Sequence, residues 1–410
     1  MLEPVPPAEP VPGALWRNRD YLLLLAGQSI SVTGSAASGI AFPLLVLYLT
    51  GSPFQAGLVG ALDTVPFLIL GLPAGALVDW WNRKLVMIVC DSARAVALAS
   101  IPVALWTGHL SISLIYVVVL VEGTGFAFFN VASVAALPRV VERAQLNRAS
   151  ANNQVMWSAG SLAGPTIGGA LFGLTRALPF LADAVSYAAS VLSLLFIRRR
   201  FEGERTSQDR HLVADVKEGV AWLWRHPLIR FFALVGGAQG LAIGGAQLAV
   251  IVLARNDFHA SSAVIGALLG VAAAGGIVGA LFSAWLQHRI TLPQAVLFGL
   301  WSSALVFPLM ALGPNLVVVA LGAALLYLTD PIWDVAQFSY RMSRIPDALQ
   351  GRVNSIYRMI LWAGVPLGRL GAGAAVQAFG PRAALGAMAV IGGVIALAAT
   401  FNGELRHAQR

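Results

Sequence analysis

The sequence predicts an all-α integral membrane protein with twelve transmembrane helices in two pseudo-symmetric six-helix bundles. Three observations lead to this prediction: the composition, the spacing of long apolar runs, and an internal repeat. Of the 410 residues, 58% are hydrophobic and 11% are charged, and the mean hydropathy is +0.75. Soluble domains carry about 25% charged residues. Because one aqueous core cannot bury so much apolar surface, a lipid bilayer is the expected solvent.

Twelve apolar runs are each close to the ~20 residues that a helix needs to cross the hydrocarbon core. We therefore expect six-helix bundles at 20–197 and 229–401, joined by a charged cytoplasmic linker with an amphipathic helix at 198–228. A proline-rich, disordered tail at 1–19 and a short tail at 402–410 complete this organisation. The predicted spans lie at roughly 20–49, 55–79, 85–106, 111–137, 150–173, 178–197, 229–253, 262–286, 293–313, 315–341, 353–379 and 382–401.

The positions of the cations orient these spans. We define the inner side as the one that holds the N-terminus and the outer side as its opposite. Of the 27 Lys and Arg residues, 21 fall in inner segments, three in outer loops and three in spans. Positive residues concentrate on the cytoplasmic side of a membrane. We therefore predict a multi-pass protein of the cell's inner (cytoplasmic) membrane with both termini in the cytoplasm.

Several kinds of chemistry have no support in the sequence. The basic residues, at a net charge of +8, form no stripe with interleaved aromatics, so no nucleic-acid partner is expected. The single cysteine, Cys90, excludes an internal disulfide. We find no nucleotide-binding loop, no metal-ligand cluster and no serine-nucleophile elbow. The prediction is a protein that is not an enzyme and binds no cofactor or metal.

An internal repeat relates the two halves at an offset of 204 residues, with Gly71 and Gly75 matching Gly275 and Gly279. Two parallel six-helix halves with a site between them are a recurrent transporter architecture. Glycines spaced by four form stripes on spans 2, 5, 8 and 11 and allow close helix approach. Two compatible interpretations follow, namely ordinary helix packing and a moving interface between the halves. The other stripe residues are Gly160, Gly164, Gly168, Gly364 and Gly368.

Two motifs carry a resemblance to a known family. The segment Gly75-x3-Asp79-x3-Arg83-Lys84 resembles the loop signature of the major facilitator superfamily, and Gly160 followed by GPTIGG at 164–169 resembles the antiporter signature of its drug exporters. The segments LPRVVERAQLNRASANNQ and IPDALQGRVNSIYRMILWAGVPLG are similar to those of its twelve-span macrolide-efflux and siderophore-exporter branch. This chain departs from the loop signature at Trp80 and Asn82. The arginine expected in span 4 of many proton-coupled drug exporters is not apparent, and Glu122 is the charged residue of that span.

The resemblance implies the major facilitator fold and drug export by proton antiport. It also implies an inner-gate group and an antiporter-type motif. The inner-gate group is Gly75, Asp79, Arg83, Lys84, Asp91 and Arg94, and the antiporter-type motif is Gly160, Gly164, Pro165, Gly168 and Gly169.

The carboxyl of Asp79 is expected to act as an inner-gate latch that holds the outward-open state. An acid at the C-terminal end of a helix is poorly placed for the helix dipole, so it should seek a cationic partner. Asp79→Asn should therefore weaken transport without abolishing membrane insertion. Comparing the transport rate with the amount of inserted protein tests this expectation, and an unchanged rate would contradict it.

Ionisable residues within spans are candidates for proton coupling because their burial is costly. These candidates are Glu122, Asp330, Asp334 and Asp63. Glu122, near the midplane of span 4, is the first choice, and the alternative is a carboxyl held by a polar group of a neighbouring helix. Asp330 and Asp334 share a helix face, and they predict either a cation or proton site or an inner-gate salt bridge with Arg358. Asp183 is expected at a helix end or outer gate.

Polar and aromatic residues within spans predict the substrate cavity. Span 1 reads GQSISVTGSAASG, which is too polar to face lipid on every side. The predicted function is secondary active export of an amphipathic or hydrophobic drug-like molecule by alternating access, by a monomer in the bilayer. The alternatives are a siderophore or natural-product exporter and a transport-inactive receptor or scaffold. The cavity candidates are Gln28, Ser31, Ser35, Phe126, Asn130, Gln239, Trp333 and Arg358.

Overall fold

The structure is a computed structural model that describes residues 15–199, 201, 212–287 and 289–408. Within these ranges the chain is almost entirely helical and contains no strand, which confirms the predicted all-α fold. Two short helices, at Leu212–Arg225 and Gly403–His407, accompany the long ones. In chain order the helices are α1 (Arg19–Thr50), α2 (Pro53–Trp80), α3 (Arg83–Thr107), α4 (Ile112–Val140), α5 (Leu146–Leu174), α6 (Leu178–Phe196), α7 (Leu212–Arg225), α8 (Pro227–Asn256), α9 (Ser262–Leu286), α10 (Leu292–Ala311), α11 (Leu316–Arg344), α12 (Gln350–Phe379), α13 (Pro381–Thr400) and α14 (Gly403–His407).

Twelve of the described helices correspond to the predicted spans, α1–α6 to the first six and α8–α13 to the second six. Eleven of them are long and apolar enough to cross a membrane. The exception is α5, which at 29 residues is as long as α4 but carries many polar side chains in its inner half. Residues 1–14 of the predicted tail at 1–19, and residues 200 and 202–211 of the predicted linker, lie outside the described residues.

Short polar connectors end one helix and start the next. Asn18, Ser52, Ser111 and Asn315 each accept a hydrogen bond at their side chain from a backbone N–H three residues on. Such caps satisfy one of the N–H groups that a helix start leaves unpaired. At the other end, α1 closes on Gly51, whose φ of 65° is a left-handed conformation that glycine adopts without strain.

Most of the glycine stripes pack helices together within one half. A Cβ at Gly164 or Gly168 would overlap α1, and one at Gly364 or Gly368 would overlap the backbone of α8. Gly275 and Gly279 meet α11 in the same way. Of the two interpretations of these stripes, the contacts favour ordinary packing. The stripe on α2 is different, because nothing lies within 4 Å of a Cβ at Gly71 or Gly75.

The close approach of α12 to α8 leads to a stability prediction. A Gly364→Val substitution would force its side chain into the carbonyl of Gly237, so we expect loss of the folded protein. Gly371→Val on the same helix is the matched control, since nothing lies within 4 Å of its Cβ. Size-exclusion profiles and thermal unfolding of the two variants in detergent compare them, and equal stability would contradict the packing seen here.

The halves meet mainly along their outer parts. There α2 packs on α12 where Gly57 faces Gly373, and α5 packs on α9 where Gly169 faces Gly266. The Oγ of Ser52 lies 2.6 Å from Oε1 of Gln377 across the same outer contact. On the inner side, nothing lies within 4 Å of the position that a Cβ would take at Gly75 or Gly351. The structure is therefore closed on the outer side and open towards the inner side.

Candidate functional site

A cavity of about 380 Å³ lies between the two halves. Its N-terminal wall comes from α1–α5 and its C-terminal wall from α8 and α12. The aromatic part of the wall is a contact series in which Phe67 lies 5.6 Å from Phe126 and 5.9 Å from Trp362, measured between ring centroids. The polar part comprises Ser35, Ser38, Asp63, Thr64, Arg94, Glu122, Gln247 and Arg369.

A buried charge cluster borders this cavity through Arg94 and Glu122. We define it as Asp91, Arg94, Glu122, Asp183 and Tyr187. The Arg94 guanidinium donates to Oε2 of Glu122 from Nη2 at 3.1 Å and from Nε at 3.3 Å. It also lies 3.6 Å from the Asp91 carboxylate and stacks 4.0 Å from the centre of the Tyr187 ring. The Tyr187 hydroxyl donates to the same Oε2 of Glu122 at 3.0 Å.

The buried charge cluster contains more carboxyls than cations. The cluster holds three carboxyls and one guanidinium, and Glu122 is only 5% exposed. Full ionisation would leave two uncompensated negative charges in the interior, which is costly. The Oε1 atom of Glu122 has no hydrogen-bond partner, and Glu122 lines the central cavity. This arrangement can hold and release a proton at a position that the cavity reaches.

Asp183 is a fully buried member of the buried charge cluster. Its side chain is 0% exposed and accepts hydrogen bonds from Ser38 at 2.5 Å and from Ser186 at 3.0 Å. Asp183 is the sixth residue of α6, near the end of the helix as expected, and its carboxyl is covered by α1. Its role as an outer-gate residue stays a prediction. Ser38, the partner of this carboxyl, belongs to the polar stretch of span 1 from which a cavity wall was predicted.

A second charged group joins the halves on the outer side of the cavity. We call it the outer latch, formed by Arg369 on α12 with Gly60, Asp63 and Thr64 on α2. Nη1 of Arg369 donates to the Gly60 carbonyl and to the Thr64 hydroxyl, both at 2.8 Å, and lies 3.5 Å from Oδ2 of Asp63. Asp63, a predicted proton-coupling residue, is thus the carboxylate of a cross-half ion pair.

A smaller cavity of about 220 Å³ lies within the C-terminal half, and we call it the C-half cavity. Asp330, Asp334 and Trp333 on α11 line it together with Gln239 on α8. The predicted bridge from Asp330 and Asp334 to Arg358 is not formed among the described contacts. Instead Gln337 donates to Asp334 at 3.0 Å, because it lies one turn further along the same helix.

The predicted inner-gate group separates into two places. Lys84 donates to the last carbonyls of α6, with its Nζ 2.8 Å from the oxygen of Ile197, and Arg83 reaches the carbonyl of Ala135 at 3.5 Å. A cation at a helix C-terminus is favourably placed. Arg94 belongs instead to the buried charge cluster, where Glu122 draws it away from the loop. The Asp79 side chain lies outside the described part of the structure.

The predicted cavity residues also lie in more than one place. Ser35 and Phe126 line the central cavity, whereas Gln28 and Asn130 line a separate cavity of about 410 Å³ at the inner ends of α1, α4 and α5. Arg358 lies with Asn130 in a smaller space near the inner opening. Ser31 is buried and donates to the carbonyl of Gln28 at 3.1 Å, so its hydroxyl is used within its own helix.

Sequence reasoning missed Tyr187 and left Arg369 without a role. A single tyrosine in an apolar span carries no periodic signal, so nothing marked it before the helices were packed. Arg369 had one usable signal, since an arginine inside a span needs a carboxylate or carbonyl partner. Its partner, Asp63, lies in the other half, and the offset of the internal repeat does not connect the two.

Known proteins of similar sequence identify the family of this chain. The family model described as a transmembrane secretion effector matches residues 13–410. The chain belongs to this family. Among curated members of similar sequence, the multidrug efflux pump Tap of Mycobacterium tuberculosis (strain ATCC 25618 / H37Rv) is 29% identical over 391 residues, covering 91% of each chain. Macrolide efflux protein A of Streptococcus pyogenes is 24% identical, covering 86% of this chain and 88% of its own.

Other similarities support the same family and fold. The enterobactin exporter EntS of Escherichia coli O9:H4 is 25% identical, covering 92% of this chain and 90% of its own. Among solved structures, the nucleoside transporter NupG superposes with a TM-score of 0.77 at 13% identity, covering 94% of this chain and all of that one. This transmembrane secretion effector is therefore a multi-pass membrane transporter of the major facilitator superfamily, in its macrolide-efflux and siderophore-exporter branch.

Proposed function

We propose that this protein exports an amphipathic, drug-like small molecule from the cytoplasm by alternating access, driven by proton antiport. The observation that carries the proposal is a cavity lined by both halves with a carboxyl-rich buried cluster at its edge. The names of its relatives, a multidrug efflux pump and a macrolide efflux protein, support export as the direction. We place the protein in the bacterial inner membrane, with the inner side facing the cytoplasm.

The proposed cycle alternates between two arrangements of the halves. The structure corresponds to loading, because the cavity opens to the inner side while α2 and α12 close the outer side. Cargo release then requires the outer latch to open and the inner ends to meet. The open space beside Gly75 and Gly351 leaves room for the inner ends of α2 and α12 to approach.

We assign the proton to Glu122. A proton on Glu122 removes the charge that holds Arg94, whose guanidinium is already 3.6 Å from Asp91. Arg94 can then move towards Asp91, and the hydrogen bond from Tyr187 weakens because its acceptor is no longer charged. Helices α3, α4 and α6 meet at this point, so the protonation state of one carboxyl changes contacts between three helices.

Two other candidate functions are less well supported. A natural-product exporter is consistent with the relative named as an enterobactin exporter, but the cavity walls hold more carboxyls than cations, which suits an anionic siderophore poorly. A transport-inactive scaffold would have no need for the six carboxyls within its spans, since each is costly to bury.

A cell-based assay tests the proposed function. In an efflux-deficient bacterial host, expression of the protein should lower the accumulation of a labelled macrolide such as erythromycin, and a protonophore should restore it. Accumulation that is unchanged by expression across a panel of macrolide, tetracycline and dye probes would refute drug export. If accumulation stays low in the presence of the protonophore, proton antiport is refuted but drug export is not.

A further inference from the structure

The C-half cavity contains an unusual set of polar groups for its small volume. Its lining includes two carboxyls, two glutamines, one tyrosine and one arginine: Asp330, Asp334, Gln239, Gln247, Tyr327 and Arg369. The arginine is committed elsewhere, because its Nη1 bonds to α2 in the outer latch. Among the described residues no cation forms an ion pair with Asp330 or Asp334. The cavity is therefore rich in acceptors and lacks a free cation.

Arg341 does not supply the missing cation. It lies two turns beyond Asp334 on α11 and is buried against Tyr357, with its guanidinium 3.7 Å from the ring centre. Its Nη1 donates to Oε1 of Gln337 at 3.1 Å, and the Tyr357 hydroxyl donates to the same oxygen at 2.7 Å. These contacts hold Arg341 beside Gln337 rather than at either aspartate.

Gln239 provides an independent indication of a ligand. It is 3% exposed, and its Nε2 donates to the Ser303 hydroxyl at 2.7 Å. Ser303 uses its only proton on the Gly299 carbonyl at 2.9 Å, so it must accept from Gln239, and this fixes which amide atom is nitrogen. The Oε1 atom of Gln239 is left without a partner. A buried acceptor without a donor is costly, so a donor is expected from the cavity.

Two tryptophans enclose these acceptors. Trp333 is 2% exposed and lies between Asp330 and Asp334 in the sequence, and Trp362 lines both the C-half cavity and the central cavity. Tryptophan faces attract cations through the ring quadrupole. The described residues contain no group of three or more His, Cys, Asp and Glu side chains that could hold a metal ion. An organic cation with N–H donors therefore fits this lining better than a metal ion.

We propose that the C-half cavity binds the alkylammonium group of the cargo, while the apolar body of the cargo lies against the aromatic wall of the central cavity. In this arrangement the ammonium donates to Asp330, Asp334 and Gln239, and the cargo extends past Trp362, which lines both spaces. This inference rests on the proposed function, and it narrows the substrate class to amphipathic amines.

A matched pair of fluorescent probes tests this assignment. Monodansylcadaverine has a primary ammonium, and its N-acetyl derivative keeps the same aromatic body without the charge. The purified full chain in phosphatidylcholine nanodiscs, with no gradient, should bind the amine at least about tenfold more tightly, since charge-assisted hydrogen bonds are the stronger kind. The Asp330→Asn/Asp334→Asn variant should bind the two probes within about twofold of each other.

Control variants keep the test independent of folding and of transport. Asp347→Asn changes an exposed acid outside the cavity and should leave the preference intact. If the double variant does not fold, Asp334→Asn alone, at an exposed position, should still lower the preference. Equal binding of both probes by the wild-type protein, no binding of either, or a preference that survives these substitutions would overturn the assignment. Because no gradient is applied, a failure of proton antiport leaves this result interpretable.

Discussion

Replacing Glu122 with glutamine should lower pH-driven transport at least about tenfold, which corresponds to about 1.4 kcal/mol, while cargo binding persists. Glutamine keeps the shape of the side chain but cannot exchange a proton. In the structure, Glu122 is where the guanidinium of Arg94 and the hydroxyl of Tyr187 converge, at 3.1 and 3.0 Å, and it borders the central cavity. The measurement is cargo flux in proteoliposomes under an imposed pH gradient.

Two controls separate the loss of the proton from a loss of fold. Glu142→Gln alters an exposed acid just beyond the inner end of α4 and should transport normally. Exchange of labelled for unlabelled cargo without a gradient should continue in Glu122→Gln, because Arg94 retains Asp91 as a neighbour. If Glu122→Gln transports at the wild-type rate under the pH gradient, the assignment of the proton to this residue is wrong.

Replacing Arg369 with methionine should shift the protein towards its outward-open state. The substitution keeps an apolar stem but removes the bonds to the Gly60 carbonyl and the Thr64 hydroxyl and the ion pair with Asp63. Hydrogen bonds to charged groups contribute about 1.5–3 kcal/mol, so the equilibrium should move by about ten- to a hundredfold. Asp63 remains half exposed to the cavity, so the protein should still fold.

Spin-label distances measure this shift directly. With Cys90 replaced by alanine, labels at His109 and Leu312, both exposed on outer loops of opposite halves, should report a longer distance in Arg369→Met. The matched control is Arg382→Met, because Arg382 pairs with Asp257 at 2.8 Å within the C-terminal half alone. A distance distribution that matches the wild type in both variants would contradict the role of the outer latch.

The sequence predicts the membrane fold and marks Glu122 as a candidate, because both depend on quantities that are local in the chain. Span length, hydropathy and the sign of loop charges need no knowledge of packing. Glu122 is visible because a carboxyl inside a span is rare. The limit of this reasoning appears at α5, whose polar inner half weakens the hydropathy signal while its glycines pack it against α1.

Pairings between spans could not be predicted in the same way. The spacing of Asp91 and Arg94 suggests a local pair, but Arg94 bonds more closely to Glu122 on the next helix. Such contacts depend on which faces of two helices pack together and on the depth of each residue in the membrane. The ion pair between Asp63 and Arg369 is a second example, because it depends on how the two halves pack against each other rather than on either segment alone.

Simultaneous recording of cargo and proton movement tests the central claim most directly. The wild-type protein is reconstituted in vesicles that contain a pH-sensitive dye, and a cargo gradient is imposed without a pH gradient. Proton antiport predicts that cargo leaving the vesicles draws protons in and lowers the internal pH, and that cargo entering raises it. Glu122→Gln should abolish this pH change. Cargo flux with no pH change, or flux that requires ATP, would contradict it.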